Sequence, residues 1–435
     1  MKTSGIKEEI FRIVKSSTAK KSGIVFIGNF LAAVLAFLFM VLSSRYLGPK
    51  QFGTFSAITA LMATIAGITE LGIGTSLIRF VSLYLNSNLN RAKAILKLLL
   101  QIKFLISILL ILIGLIWPRE ISELVFRSKD YEDLIRLAFF GAVAISLGTY
   151  MGSVFQAYQW FGAYSLWQII QNIVRLIVLF LFIYLGWLSE YRAILIYISI
   201  PLLAVFIGYR FIPSDILRYK NHEDSREVLA EVFHFSKWIA VSFFANSLYG
   251  RFDTILLTRY HGSEVTGLYN VSFQLSMLFP MVINSISTVL LPKMSGIIEK
   301  KNLINFTKKS AKALSGLVIC FIIIFIFANQ VITLTYGKNY ALAALPFRIF
   351  VIGYMIATIL TPINVFFYAK NQPQVLAYMN IIQMVVNIVG NLLIIPKYGM
   401  VGASCVWLIT SIIGIPVIFY YVYQESKRRC NPGVN

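Results

Sequence analysis

Residues 42–55 read Leu42-Ser43-Ser44-Arg45-Tyr46-Leu47-Gly48-Pro49-Lys50-Gln51-Phe52-Gly53-Thr54-Phe55. They form a polar corner, broken by Gly48-Pro49 and Gly53, between two apolar runs of membrane-spanning length. Shifted by 214 residues, the corner returns without a gap: Leu256, Arg259, Tyr260, Gly262 and Gly267 fall on Leu42, Arg45, Tyr46, Gly48 and Gly53, and Tyr269 falls on Phe55. The same shift sets Lys293 on Arg79, each at the far end of the following apolar run. A span–corner–span unit that occurs twice at this distance reads as a duplicated half.

The rest of the chain agrees. Of its 435 residues, 58% are apolar and only 13% charged, against about 25% charged in soluble proteins. Segments long enough to span run over 23–45, 53–78, 98–117, 134–158, 161–187, 191–212, 236–258, 267–291, 312–335, 344–369, 374–396 and 400–423, each bounded by charges or by Gly/Pro breaks. The expected fold is an all-α polytopic membrane protein with 12 transmembrane helices in two six-helix lobes. Six spans return the chain to its starting side, so the lobes are expected to be parallel repeats. The expected organisation is a basic cytoplasmic lead-in over 1–22, an N-terminal lobe over 23–212, a cytoplasmic inter-lobe loop over 213–235, a C-terminal lobe over 236–423 and a basic tail over 424–435. Soluble enzymes, disulfide-stapled secreted domains, coiled coils and DNA readers are excluded by this composition.

The net charge of +21 is read by position. With cations near the span ends counted on the nearer side, alternating the sides places 26 of the 39 Lys and Arg on the side of the termini, 11 opposite, and two, Arg175 and Arg251, inside spans. The positive-inside rule makes the terminal side cytoplasmic. The excess sits in loops 79–103, 210–237 and 293–312, where it anchors topology and meets anionic lipid rather than nucleic acid. The longest connections are too short to hold a soluble catalytic domain, so no enzyme is expected. Three cysteines, three unclustered histidines and the lack of a phosphate-binding loop give no metal site, no cofactor and no direct use of ATP.

An ionisable group within a span is costly, and so faces a polar cavity or a partner. Arg175 shares its span with Gln168 and Asn172, at helical spacings of three and four that place all three on one face. This stripe fits either a buried arginine tied to its neighbours or the wall of a wet lumen that holds a phosphate. Arg251 and Asp253, two apart, cannot face one another. Their repeat mates are Phe37 and Phe39, so this charge belongs to one half only. They read either as static ion-pair partners or as an anion-binding arginine and a proton- or sodium-coupling acid. Glu70, just before Gly72 and Gly74, is either an interfacial, solvated acid or a second coupling group. Arg79 and Lys293 sit at the cytoplasmic mouth, as headgroup anchors or as the first cations to meet a lipid diphosphate. Asn380, Gln383, Asn387 and Asn391 recur at helical spacing in span eleven, either as hydrogen-bonded glue between helices or as contacts to sugar hydroxyls.

The stretch Ser43–Ser56, together with Glu70-Leu71-Gly72-Ile73-Gly74-Thr75-Ser76-Leu77-Ile78-Arg79-Phe80, resembles the polysaccharide-biosynthesis exporters, the Wzx-type flippases of the multidrug/oligosaccharidyl-lipid/polysaccharide (MOP) superfamily. Asp253-Thr254-Ile255-Leu256-Leu257, Gly267-Leu268-Tyr269-Asn270 and Leu291-Pro292-Lys293 agree in the second half. The resemblance implies a MATE-like fold and an alternating-access flippase for a polyprenyl-diphosphate-linked oligosaccharide in the cytoplasmic membrane. It implies membrane lipids, a glycan polymerase and glycosyltransferases as partners, and a monomer is expected. On this reading Arg175, Arg251, Gln168, Asn172, Arg79 and Lys293 contact substrate, and Asp253 and Glu70 couple an ion. The alternative is a cation-coupled multidrug exporter of the MATE branch, which calls for acidic residues along its cavity. With two arginines against Glu70 and Asp253 in the spans, the sequence favours an anionic substrate.

Overall fold

The computed structural model describes residues 17–209, 225–295, 300–369 and 373–430, and the secondary structure of these residues is helical. The helices are α1 (Ser17–Ile68), α2 (Ile73–Tyr84), α3 (Leu89–Ile116), α4 (Pro118–Phe126), α5 (Glu132–Ala157), α6 (Phe161–Tyr184) and α7 (Glu190–Tyr209). They continue with α8 (Ser225–Ser276), α9 (Leu278–Ser295), α10 (Lys300–Ile326), α11 (Ala328–Tyr336), a 3-10 turn (Lys338–Ala343), α12 (Ala344–Ala369) and α13 (Pro373–Cys430). Among the described residues, nine helices are long and apolar enough to cross a membrane. The protein is therefore a multi-pass, all-α membrane protein.

Local chemistry explains the breaks. α1 bends at Gly48, with φ 72° and ψ 172°. Its repeat mate Gly262 bends α8 with φ 80° and ψ 176°. Both lie in the left-handed region that a glycine adopts without strain, and Pro49 opens the helix after the first bend, where a missing N–H costs nothing. The Asn88 side chain accepts from Arg91 N at 3.1 Å and starts α3. Pro118 starts α4, and Arg127 in the left-handed conformation closes it.

Element lengths recur between the halves. α3 and α10 have 28 and 27 residues, α4 and α11 nine each, α5 and α12 26 each. The ends differ: α13 joins two helices across Gly399, whereas α6 and α7 are separate.

The helices show lipid-facing and packed sides. On α3, Phe104, Leu105, Ile108, Leu109 and Leu112 are exposed, whereas Leu99, Lys103, Ser107, Leu110 and Gly114 are buried at spacings of three and four. That is one stripe of a helix. In lipid, its packing rests on close van der Waals fit and hydrogen bonds rather than on water expulsion.

The chain forms two compact units, Met1–Leu47 with Ile58–Arg251, and Gly48–Ala57 with Phe252–Asn435. The first unit takes in residues on both sides of the stretch 213–235. Residues 210–224 lie outside the described residues, and from Ser225 onward the chain is already helical. Val228 and Val232 join a core made by Leu77, Phe80, Leu96, Leu99, Tyr150 and Val154. Arg91 holds the same turns, at 2.8 Å from Glu231 and 3.0 Å from Glu227, and Tyr84 donates to Glu231 at 2.8 Å. In the second unit, Phe52 is fully buried and packs edge-on to Tyr340, and Trp407 packs against Phe350 and Tyr354 with ring centroids 5.1 and 4.8 Å away. Within this unit the corner glycines meet. A Cβ on Gly53 would overlap the Ser263 carbonyl oxygen, and one on Gly267 would overlap that of Pro49 and lie 3.1 Å from Gly53 N.

Candidate functional site

The first unit contains a cavity of about 550 Å3. It exists because of how its walls are built. Between α1 and α2 the chain breaks at Leu71 and Gly72, with φ of 50° and 72°. This frees the first N–H groups of α2, and Glu70 turns back to take one: Gly74 N donates to Glu70 Oε1 at 2.7 Å. A carboxylate at a helix N-terminus is favoured by both the hydrogen bond and the dipole. The other oxygen, Oε2, receives Lys103 Nζ at 2.5 Å. Lys103 is completely buried on the packed stripe of α3, and it also donates to Ser146 Oγ of α5 at 2.9 Å. Glu70 faces the cavity from one side and Lys103 backs it from the other.

α5 contributes the opposite wall through Gly148, Thr149, Gly152, Ser153 and Gln156, a helical face whose small residues leave the space open. α6 adds Tyr164, Trp167, Gln168 and Gln171 at steps of three and four. Trp167 is held by Phe155, with ring centroids 5.4 Å apart, and by close approach over Gly208. Gln168, expected at the site, therefore lines the cavity. Asn172 and Arg175 leave this face. Asn172 Nδ2 donates to the Gln168 carbonyl at 2.9 Å, and Arg175 Nη1 donates to Asn172 Oδ1 at 3.3 Å. The Arg175 guanidinium carbon lies 4.6 Å from the Tyr197 ring centroid and 5.6 Å from that of Phe39. Its Nε is buried without a hydrogen-bond partner among the described residues. The stripe read from the sequence thus divides into an amide wall and an arginine in an aromatic box.

The remaining expected residues fall elsewhere. Arg79 is exposed on α2, with its guanidinium carbon 4.2 Å from the Phe235 ring centroid and 5.6 Å from that of Phe80. The side chain of Lys293, near the end of α9, lies outside the described residues. Arg251 is half-buried at the end of the first unit. Asp253 is buried in the second, where Tyr269 donates to Oδ2 at 2.5 Å and Thr254 N to Oδ1 at 2.6 Å. In the alignment at 214 residues Tyr269 falls on Phe55, which has no such hydroxyl. Thr258 and Thr266 share a hydrogen bond of 3.0 Å. In span eleven, Asn391 Nδ2 donates to Asn387 Oδ1 at 2.8 Å, a bond within one helix, whereas Asn380 lies outside the described side chains.

Lys103 went unrecognised in the sequence. It lies five residues inside the span expected over 98–117, yet is grouped with the cations of loop 79–103. The helix in fact begins at Leu89. The available signal was Ser107 four residues on, with Leu99 and Leu110 on the same stripe. Glu70 is accordingly not a solvated interfacial acid but one half of a buried ion pair.

A protein-family profile described as "Polysaccharide biosynthesis protein" matches residues 18–298, more than half of the chain. The chain belongs to this polysaccharide biosynthesis family. A second profile, MatE, matches residues 238–393. A relative, "Probable low-salt glycan biosynthesis flippase Agl15" of Haloferax volcanii, is 22% identical over 391 residues, covering 89% of this chain and 79% of that protein. Among solved structures, the lipid II flippase MurJ in an inward closed conformation superposes with a TM-score of 0.74 at 17% identity, covering 92% of this chain and 87% of that one. An inward-facing multidrug resistance MATE transporter gives 0.73 at 13% identity, covering 92% and 96%. The chain therefore has a fold shared by a flippase and a multidrug exporter.

Proposed function

We propose that this protein is a flippase that carries a polyprenyl-diphosphate-linked oligosaccharide across the cytoplasmic membrane by alternating access, for cell-surface polysaccharide assembly. The observation that carries the reading is the family match over residues 18–298. The fold shared with a lipid II flippase is compatible with it. Fold alone does not choose between flippase and exporter. The first-unit cavity favours the flippase: Glu70 has its charge matched by Lys103, so the cavity offers an organic cation no uncompensated acid.

In this reading, division of α1, α8 and α13 at Gly48, Gly262 and Gly399 gives twelve spans in two sets of six, with both termini cytoplasmic by the positive-inside rule. The lobes are those read from the sequence, 23–212 and 236–423. Arg175 neutralises substrate phosphate, its partnerless Nε supplying a donor in a water-poor setting where a charge-assisted bond is strong. Arg251 is a second phosphate contact. Arg79 and Lys293 receive the headgroup at the cytoplasmic face. The transport barrier is the desolvation of a diphosphate and many hydroxyls, and protein groups of this kind replace that hydration. Asp253 is the acid we assign to coupling with protons or sodium. The glycan lipid, bilayer lipids, a glycan polymerase and glycosyltransferases are its partners, with the protein acting as a monomer.

The test is equilibrium binding to the full chain in lipid nanodiscs, with a polyprenyl diphosphate oligosaccharide and ethidium as probes. Saturable binding of the glycan lipid, unaffected by ethidium, is expected. Saturable binding of ethidium without the glycan lipid overturns the reading in favour of an exporter.

A further inference from the structure

The first-unit cavity is unlike a diphosphate site. Among its described lining residues Glu70 is the one charged group, and Lys103 and Gly74 N already hold its carboxylate. The volume of about 550 Å3 lies within the range of small-molecule sites, about 300–1,000 Å3. Three side-chain amides, Gln156, Gln168 and Gln171, converge on it beside the rings of Tyr164 and Trp167. Amides both donate and accept, and so match hydroxyl groups, which do the same. Aromatic faces offer rigid apolar area with a polar edge, suited to the C–H face of a sugar ring.

We infer that this cavity is a subsite for an uncharged pyranose unit of the transported glycan. Trp167 stacks on the ring face, Gln156, Gln168 and Gln171 pair with its hydroxyls, and Glu70 accepts a hydroxyl hydrogen. The inference rests on the flippase reading and deepens it: phosphate is held at Arg175, sugar in the cavity. Lys103 enters by fixing the carboxylate and cancelling its charge, which keeps the cavity selective for neutral rings. The glycines of α5 are the space the ring fills. At Gly148 an added Cβ meets only Pro201, at 3.9 Å, so a larger side chain there enters the cavity without a backbone clash.

The experiment compares two probes on the full chain in nanodiscs, a polyprenyl diphosphate carrying a short neutral oligosaccharide and the same polyprenyl diphosphate without sugar. The wild type is expected to bind the glycan lipid at least about tenfold more tightly, as a site built to hydrogen-bond hydroxyls does. Gly148→Leu, which plugs the cavity, and Trp167→Leu abolish this preference and leave binding of the bare lipid unchanged, whereas Gly148→Ala retains it. Equal wild-type affinity for the two probes overturns the subsite and leaves the flippase reading standing, as does a preference that survives both Leu variants. Equal weakening of both probes in the two variants assigns the cavity to the carrier and likewise overturns the subsite. Failure of the wild type to bind either probe overturns the flippase reading itself, and the subsite with it. If Gly148→Leu does not fold, Trp167→Leu decides between these outcomes.

Discussion

Gly53 and Gly267, repeat mates in the two copies of the corner, lie against one another: a Cβ on Gly267 would fall 3.1 Å from Gly53 N and overlap the Pro49 carbonyl. The duplication read from a gapless alignment is therefore also a packing contact, made inside the second unit. Neither glycine has a positive φ. What they supply is close approach of backbone to backbone, as small residues do between membrane helices.

Gly53→Ala and Gly267→Ala are each expected to destabilise the fold by at least about 1–3 kcal/mol, the cost of overpacking, because the atoms in the way are backbone rather than a side chain that can turn aside. Thermal unfolding in detergent, with Gly148→Ala as the tolerated control, measures this. Unchanged stability at Gly53→Ala refutes the close contact.

Glu70→Gln and Lys103→Met each strand a charge in a buried site, for about 3–5 kcal/mol. The double variant Glu70→Gln/Lys103→Met is expected to recover much of that loss, since an apolar or neutral replacement of a buried pair is often close to neutral. A double-mutant cycle on denaturation midpoints gives the coupling directly. Additive losses contradict the ion pair.

Arg175→Lys is expected to fail nearly as fully as Arg175→Ala in moving the glycan lipid, with at least about a tenfold loss of rate, the equivalent of one lost charge-assisted bond. A lysine lacks the planar fork that lies against Tyr197 and also reaches a phosphate. Initial transport rates at matched protein levels provide the check, and a lysine variant of full activity removes the assigned role.

Asp253→Asn keeps an oxygen that can accept from Thr254 N, with Nδ2 placed to donate to the Tyr269 hydroxyl oxygen, but cannot carry a charge. Transport driven by a proton or sodium gradient is expected to lose its dependence on that gradient, while binding of the glycan lipid persists. Rates measured with and without the gradient test this, and an unaltered gradient response in the variant excludes Asp253.

The fold was legible because its signals are long or repeated. Apolar runs of spanning length and a corner that recurs as Gly48 and Gly262 survive errors of several residues in any boundary. The site was less legible for the same reason in reverse. Lys103 is masked by its neighbours: Leu89–Leu98 contains two lysines and an arginine that look like a loop, although they continue the helix, and Lys103 reads as one more cation of that run. The stripe of Gln168, Asn172 and Arg175 was seen as one face. Spacing cannot report that Gln168 turns to a cavity while Arg175 turns to Phe39 and Tyr197, rings that come from α1 and α7. Glu70 was noticed, but its partner is tertiary.

The most direct measurement is translocation in sealed proteoliposomes that hold a polyprenyl diphosphate oligosaccharide in one leaflet, with its appearance in the other followed by an added glycosidase that cannot cross the bilayer. The glycan is predicted to become accessible only in vesicles that contain the protein, and at a sharply lower rate with Arg175→Ala. Vesicles in which the folded wild-type protein moves no glycan lipid, yet exchanges an organic cation for protons or sodium, would contradict the flippase and leave an exporter on the same fold.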